Sequence, residues 1–215
     1  MHRYELIVFD WDGTLMDSTA LIAASLQSAC RDVGTPVPSD GDARFVIGLN
    51  MADILKHVAP GLDEAGLQRL IERYRYHFLA AEQSPLFEGI PELLRALRDG
   101  GRRLAVATGK SRRGLDRALE ATGLADCFEA TRCADEGFAK PHPGMLLALL
   151  DRTGVEAGQA VMVGDTTHDL DLAANAGVDA IAVLYGAHPP ELLDTRGAVA
   201  RCASVQELGR CLTGA

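Results

Sequence analysis

The chain has 215 residues, 47% of them hydrophobic, and a formal net charge of −9. That composition excludes a disordered chain, and the acidic balance argues against a nucleic-acid partner, whose binding relies on basic patches. It admits one large domain or two small ones, at about 150 residues each, and a phosphorylated small-molecule ligand, which needs only a local cluster of donors. No apolar run approaches the ~20 residues of a membrane span, and Leu6–Phe9 is too short for a signal peptide. Five cysteines with no CxxC pair suit reduced thiols. The expected setting is cytoplasmic, with no membrane partner.

Leu6-Ile7-Val8-Phe9 predicts a buried strand that delivers Asp10 and Asp12 to the point where Gly13 lets the backbone turn. Carboxylates against a core are costly unless something compensates them. Asp17 and Ser18 suit capping positions for a helix whose apolar spacing runs from Leu21 through Leu26 and Ala29 to Val33, closed by Gly34. Asn50 suits the start of a helix reaching Val58, and Pro60-Gly61 stops it. A longer helix carries Leu67, Leu70, Ile71, Tyr74 and Phe78 on one face. From about Met16 to Glu82 the pattern is all helical, with no good strand expected.

From Pro91 the rhythm changes. A helix with Leu93, Leu94 and Leu97 precedes a strand at Arg103–Thr108 and a helix from Ser111 to Thr122. A weaker strand at Glu129–Cys133, a helix around Met145–Leu150, a strand at Ala160–Val163, a helix at His168–Ala176 and a strand at Ala180–Leu184 follow. Such alternation predicts right-handed crossovers and a parallel sheet with helices on both faces. The fold class is α/β: a Rossmann-like core of residues 1–16 and 83–215, interrupted by an all-helical insert, 17–82. The connections near Asp17–Ala20 and Glu82–Phe87 would be its hinges.

Ligands of open parallel sheets bind outside the carboxyl ends of the strands. Each expected strand with a clear pattern, except the last, ends in reactive residues: Asp10 and Asp12; Thr108-Gly109-Lys110-Ser111; Gly164-Asp165-Thr166-Thr167-His168-Asp169. Lys140-Pro141 stands just before a helix. A P-loop is excluded, because its first glycine would fall on Leu104, inside a strand. The set suits metal-assisted phosphoryl transfer. Asp10 and Asp165 offer a hard cation its oxygens, and Thr108, the Gly109 amide and Lys140 offer donors to a phosphoryl group. An aspartate can attack phosphorus. Asp12 acts as an acid at neutral pH only if raised from about 3.9, as a neighbouring phosphoryl group would do. Lys110 suits either solvent or the insert, and His142 and His168 suit structural or solvent-facing roles.

These four motifs, Asp10-Trp11-Asp12-Gly13-Thr14-Leu15, Thr108-Gly109-Lys110, Lys140-Pro141 and Gly164 through Asp169, resemble the haloacid dehalogenase superfamily. The likeness is to its phosphatase branch with a helical cap, and to phosphoglycolate phosphatase-like members in particular. The resemblance implies Asp10 as nucleophile and Asp12 as the acid that protonates the leaving group and then activates water. It implies Mg²⁺ held by Asp10, Asp165 and the backbone carbonyl of Asp12. Thr108, Gly109 and Lys140 would bind phosphate, and Asp169 would orient a metal-bound water or Lys140. Asp12 separates phosphatases from the relatives that cleave haloacids or phosphonates, which lack an acid there. Trp11 and Gly109 depart from the family pattern, where small or aliphatic residues and asparagine are usual. Gly48, Leu49 and Asn50 occupy the region of a specificity loop. The expected ligand is a small phosphorylated metabolite; a β-phosphoglucomutase-like mutase, an inorganic pyrophosphatase and a non-enzymatic phospho-ligand sensor are the alternatives.

Overall fold

The computed structural model describes residues 4–81, 84–194 and 196–214. Six parallel strands, β1 (Leu6–Phe9), β2 (Arg103–Thr108), β3 (Ala130–Cys133), β4 (Ala160–Gly164), β5 (Asp179–Val183) and β6 (Ala200–Cys202), form one sheet in the order β3-β2-β1-β4-β5-β6. Phe9 is in register with Val106 of β2 and Val163 of β4. The carboxyl ends of these three neighbours therefore finish side by side.

Between β1 and β2 lie α1 (Thr19–Val33), α2 (Asp40–Phe45), α3 (Met51–Val58), α4 (Glu64–Ala80) and α5 (Ile90–Asp99). The later helices are α6 (Arg112–Thr122), α7 (Gly144–Thr153), α8 (Thr167–Ala176), α9 (Pro190–Leu193) and α10 (Val205–Thr213). Side chains alternate across a strand, and here both faces are apolar, as a sheet covered on both sides requires. Ile7, Phe9, Val106 and Val163 pack against Leu94 of α5, Leu115 of α6 and Leu208 of α10. The opposite face joins Leu6, Val8 and Met162 to the smaller Ala105, Ala107, Ala160 and Ala182, against Leu146 and Leu149 of α7 and Leu170 of α8.

Helices α1–α4 bury their own cluster, including Leu26, Ala43, Val46, Leu55 and Leu70. As expected, Asn50 caps α3, its Oδ1 accepting from the Asp53 amide at 2.9 Å. The chain leaves and re-enters the core at adjacent points. The Asp17 amide donates to Pro85 O and the Phe87 amide to Leu15 O, an antiparallel bridge between Met16 and Leu86. The expected boundary between 82 and 83, and with it the start of the second connection, lies outside the described residues.

Four elements were not anticipated. Helix α2 spans only six residues, helix α9 four and strand β6 three, too short for any of them to show a period. β6 exists because it pairs with Ile181–Val183 of β5. Helix α10 had a readable signal, Ser204 capping the Glu207 amide ahead of Val205, Leu208 and Leu212 at helical spacing. No helix of the described residues is long and apolar enough to cross a membrane.

Candidate active site

The strand order reverses at β1, with β2 and β3 to one side and β4–β6 to the other. Such a switch point opens a crevice at the carboxyl ends of the strands. Asp10 extends β1 into it, its amide still bonded to Val163 O. Lys140 reaches in from ahead of α7, Asp165 from the end of β4 and Asp169 from the first turn of α8. All four are at most 1% exposed. Lys140 Nζ lies 2.6 Å from Asp10 Oδ1 and 2.6 Å from Asp169 Oδ1. The other Asp169 oxygen accepts from the amide and hydroxyl of Thr166, closing a reciprocal cap on α8. The family resemblance implied that Asp169 stands behind the reacting groups; here it accepts a hydrogen bond from Lys140.

Asp165 accepts from the Thr14 hydroxyl at 2.8 Å and from the Ala187 amide at 2.7 Å. The second bond corrects an expectation, because the loop after β5 also serves the site. Gly13 and Gly186 give Asp165 its room: a Cβ on either would stand 2.2 Å from its Oδ2, and Gly13 also has φ +87°.

Carboxylate oxygens of Asp10, Asp165 and Asp169 lie within 4.8 Å of one another. Burial raises the pKa of Asp10 to about 7; Lys140 opposes this shift and the negative charges of Asp169 and Asp12 add to it. Asp165 is raised for the same reasons, burial first and then Asp10 and Asp169. Burial alone would push Lys140 down, but Asp10 and Asp169 outweigh it and hold the ammonium protonated. Asp10 Oδ2 is buried with no protein partner. Counting Asp12 and Lys110 beside them, four carboxylates face two ammonium groups, a formal excess of two negative charges. An oxygen-seeking divalent cation fits both the orphaned oxygen and that excess.

The Asp12 carboxylate turns aside from this cluster. Ser18 Oγ donates to its Oδ1 at 2.6 Å, and Lys110 Nζ lies 2.9 Å from its Oδ2. Ser18 was expected to cap α1, but its side chain makes no capping bond; it serves Asp12 instead. Lys110 turns inward, 5.3 Å from the Phe78 ring centroid of α4. Tyr74 is also close, its phenol held above the usual range by burial and by the charge of Asp12. Thr108 is fully buried and accepts from the Lys110 amide. Trp11 packs in the core edge-on to Phe128, its indole Nε1 without a partner.

The turn between α2 and α3 reaches the same loops. Gly48 and Leu49 lie against the backbone of Gly109, whereas Asn50 is spent on capping. Phe45 O accepts from His168 Nε2 at 2.8 Å and His188 Nε2 at 3.0 Å. His168 is thus structural, as expected; a lone histidine gave no signal for His188. His142 stacks on Phe138. Four basic residues of the insert are engaged with neighbours: Arg44 with Thr19, Lys56 with Asp53, and Arg73 and His77 with Asp32.

Residues 7–183 match the model of the haloacid dehalogenase-like hydrolase family. The chain is 36% identical to "Probable phosphatase IndB" of Dickeya dadantii, over 87% of this chain and 84% of that one. It is 34% identical to "Tyrosine-protein kinase PtkA" of Mycobacterium tuberculosis, over 97% and 72%. It is 33% identical to a phosphoglycolate phosphatase of Agrobacterium fabrum, over 84% and 81%. The crystal structure of a predicted phosphatase from Clostridium acetobutylicum superposes with a TM-score of 0.86 at 26% identity, covering 99% of both chains. With its motifs gathered at the switch point of a parallel sheet, the chain belongs to the haloacid dehalogenase-like hydrolase family and is one of its phosphatases.

Proposed function

We propose that the protein hydrolyses small phosphomonoesters through a phosphoryl-aspartate on Asp10, with Mg²⁺ as cofactor. The observation that carries this reading is the convergence of Asp10, Lys140, Asp165 and Asp169, with Asp12 held separately beside them. Asp10, Asp165 and the Asp12 carbonyl would hold Mg²⁺, which supplies charge neutralisation for phosphoryl oxygens. An Asp10 oxygen attacks phosphorus, the ester oxygen departs, and Asp12 gives that oxygen its proton. Asp12 then takes a proton from water, whose oxygen attacks phosphorus and releases inorganic phosphate with Asp10 restored. Thr108, the Gly109 amide and Lys140 hold the phosphoryl oxygens, and Lys140 favours the ionised form of Asp10 against the effect of burial.

Residues 17–82 act as a cap over the core of 1–16 and 83–215, excluding water and selecting the alcohol. Phosphoglycolate, the substrate in the name of the Agrobacterium relative, is the first ester to try. A panel of phosphorylated metabolites, with and without EDTA, tests the reading: EDTA should abolish phosphate release. Asp10→Asn should abolish turnover in a protein that still folds, and mass spectrometry should find the phosphoryl adduct on the wild-type peptide carrying Asp10. Full activity in the Asn variant refutes the mechanism. An isomerised sugar phosphate as the product would instead mark a mutase.

A further inference from the structure

Gly109 has no conformational reason to be glycine, because its φ is not among the positive ones. Its reason is external. A Cβ at this position would stand 2.6 Å from Gly48 O, 2.7 Å from Gly48 C and 2.8 Å from Leu49 O. All three are backbone atoms of the turn between α2 and α3, and unlike a side chain they cannot rotate aside. A side chain at 109 and this seat of the turn exclude each other.

The turn is fixed at several other points. Phe45 O takes two hydrogen bonds from the core, from His168 and His188. The Thr167 amide donates to His188 Nδ1 at 3.1 Å, so the hydrogen of this imidazole is on Nε2, where Phe45 O needs it. The Phe45 ring stacks on His188, the planes 5° apart. Ile47 is 2% exposed and packs with Ile22 and Ala187. Gly48 has φ +92°, and a Cβ there would meet the Thr166 side chain at 3.4 Å. The turn thus spans from the loop after β2 to the loop after β4, the two loops that flank Asp10.

We infer that Gly109 is a specificity-determining residue: by carrying no side chain it lets the 46–49 turn descend to backbone contact, and the site is thereby restricted to esters of compact alcohols. The inference rests on the phosphatase reading and adds a selection rule to it. A bulkier alcohol has to lift the turn from its seat, at the expense of the Phe45 and Ile47 contacts, before the ester can align with Asp10. Misplacement at this scale changes rates by orders of magnitude.

The test compares kcat/KM for ethyl phosphate and cyclohexylmethyl phosphate, whose alcohols are similar in acidity and different in bulk. Gly109→Ala should raise the bulky-to-compact ratio by about tenfold or more. Ile47→Ala, which loosens the seat from the insert side, should move it in the same direction. Hydrogen exchange of the peptide covering 46–49 should quicken in both. If Gly109→Ala does not fold, Ile47→Ala carries both measurements. A ratio unchanged within about twofold, or unchanged exchange in a folded variant, overturns the inference. A wild-type protein that hydrolyses no ester refutes the phosphatase reading instead, and the exchange comparison still decides whether Gly109 sets the seat.

Discussion

Lys110 holds Asp12 from one side as Ser18 holds it from the other, with Nζ 2.9 Å from Oδ2 and Oγ 2.6 Å from Oδ1. The lysine also lies against the Phe78 ring of α4, so the orientation of Asp12 depends on a residue that the insert touches.

If Asp12 supplies a proton to the leaving oxygen, its orientation matters most where that oxygen is a poor leaving group. Lys110→Met should lower kcat/KM on ethyl phosphate by about 10²-fold, within the range of general acid catalysis. The loss on p-nitrophenyl phosphate, whose phenolate needs no proton, should stay under about tenfold. Ser18→Ala should act in the same direction. Equal losses on both esters would assign Lys110 to phosphate binding rather than to Asp12.

Lys140 is the cation shared by Asp10 and Asp169. Lys140→Met leaves two buried carboxylates without it. Breaking a buried pair in this way costs about 3–5 kcal/mol, and the denaturation midpoint should fall accordingly at pH 8. At pH 5 the loss should be smaller, because Asp10 then takes up a proton. Phosphate release should drop by at least about 10²-fold.

Metal removal should make stability pH-dependent. Burial, with neighbouring negative charge, holds the Asp10 and Asp165 pKa values above the unfolded value, Asp10 at about 7. The folded state then binds protons more tightly than the unfolded one. The stability this contributes is fully present below about pH 4 and is lost as pH rises through 7. In EDTA, Tm should therefore fall between pH 5 and pH 8 relative to a variant with Asp10→Asn. Mg²⁺ binds the ionised carboxylates, so its stabilisation should grow over the same interval. A Mg²⁺-induced Tm shift that is independent of pH would show that these carboxyls are not the metal's ligands.

Most of the fold was legible because its signals are local. β1, β2, β4 and β5 are short apolar runs with turn residues after them, and Gly34, Gly123, Gly154 and Gly177 close their helices with positive φ. β6 was not legible, since three residues cannot carry a pattern and its strand character comes from β5. The same holds within the site. Asp10, Asp12, Asp165 and Lys140 stand in motifs that a reader can find in one dimension. His188, the Ala187 amide and Ser18 carry no such mark, and their partners lie 21, 22 and 6 residues away respectively.

The sequence by itself determined the chemistry on offer and the order in which strands would present it, because side-chain type and apolar periodicity are properties of neighbouring residues. Tertiary structure decided the pairings: Lys140 between Asp10 and Asp169, Lys110 turned onto Asp12, and a glycine at 109 that makes sense only against the backbone of Gly48. Apart from Lys140 with Asp169, 29 residues away, these depend on chain segments more than 60 residues apart meeting at the carboxyl ends of the central strands. No local propensity encodes such a meeting; the switch point between β1 and β4 and the seat of the insert create it.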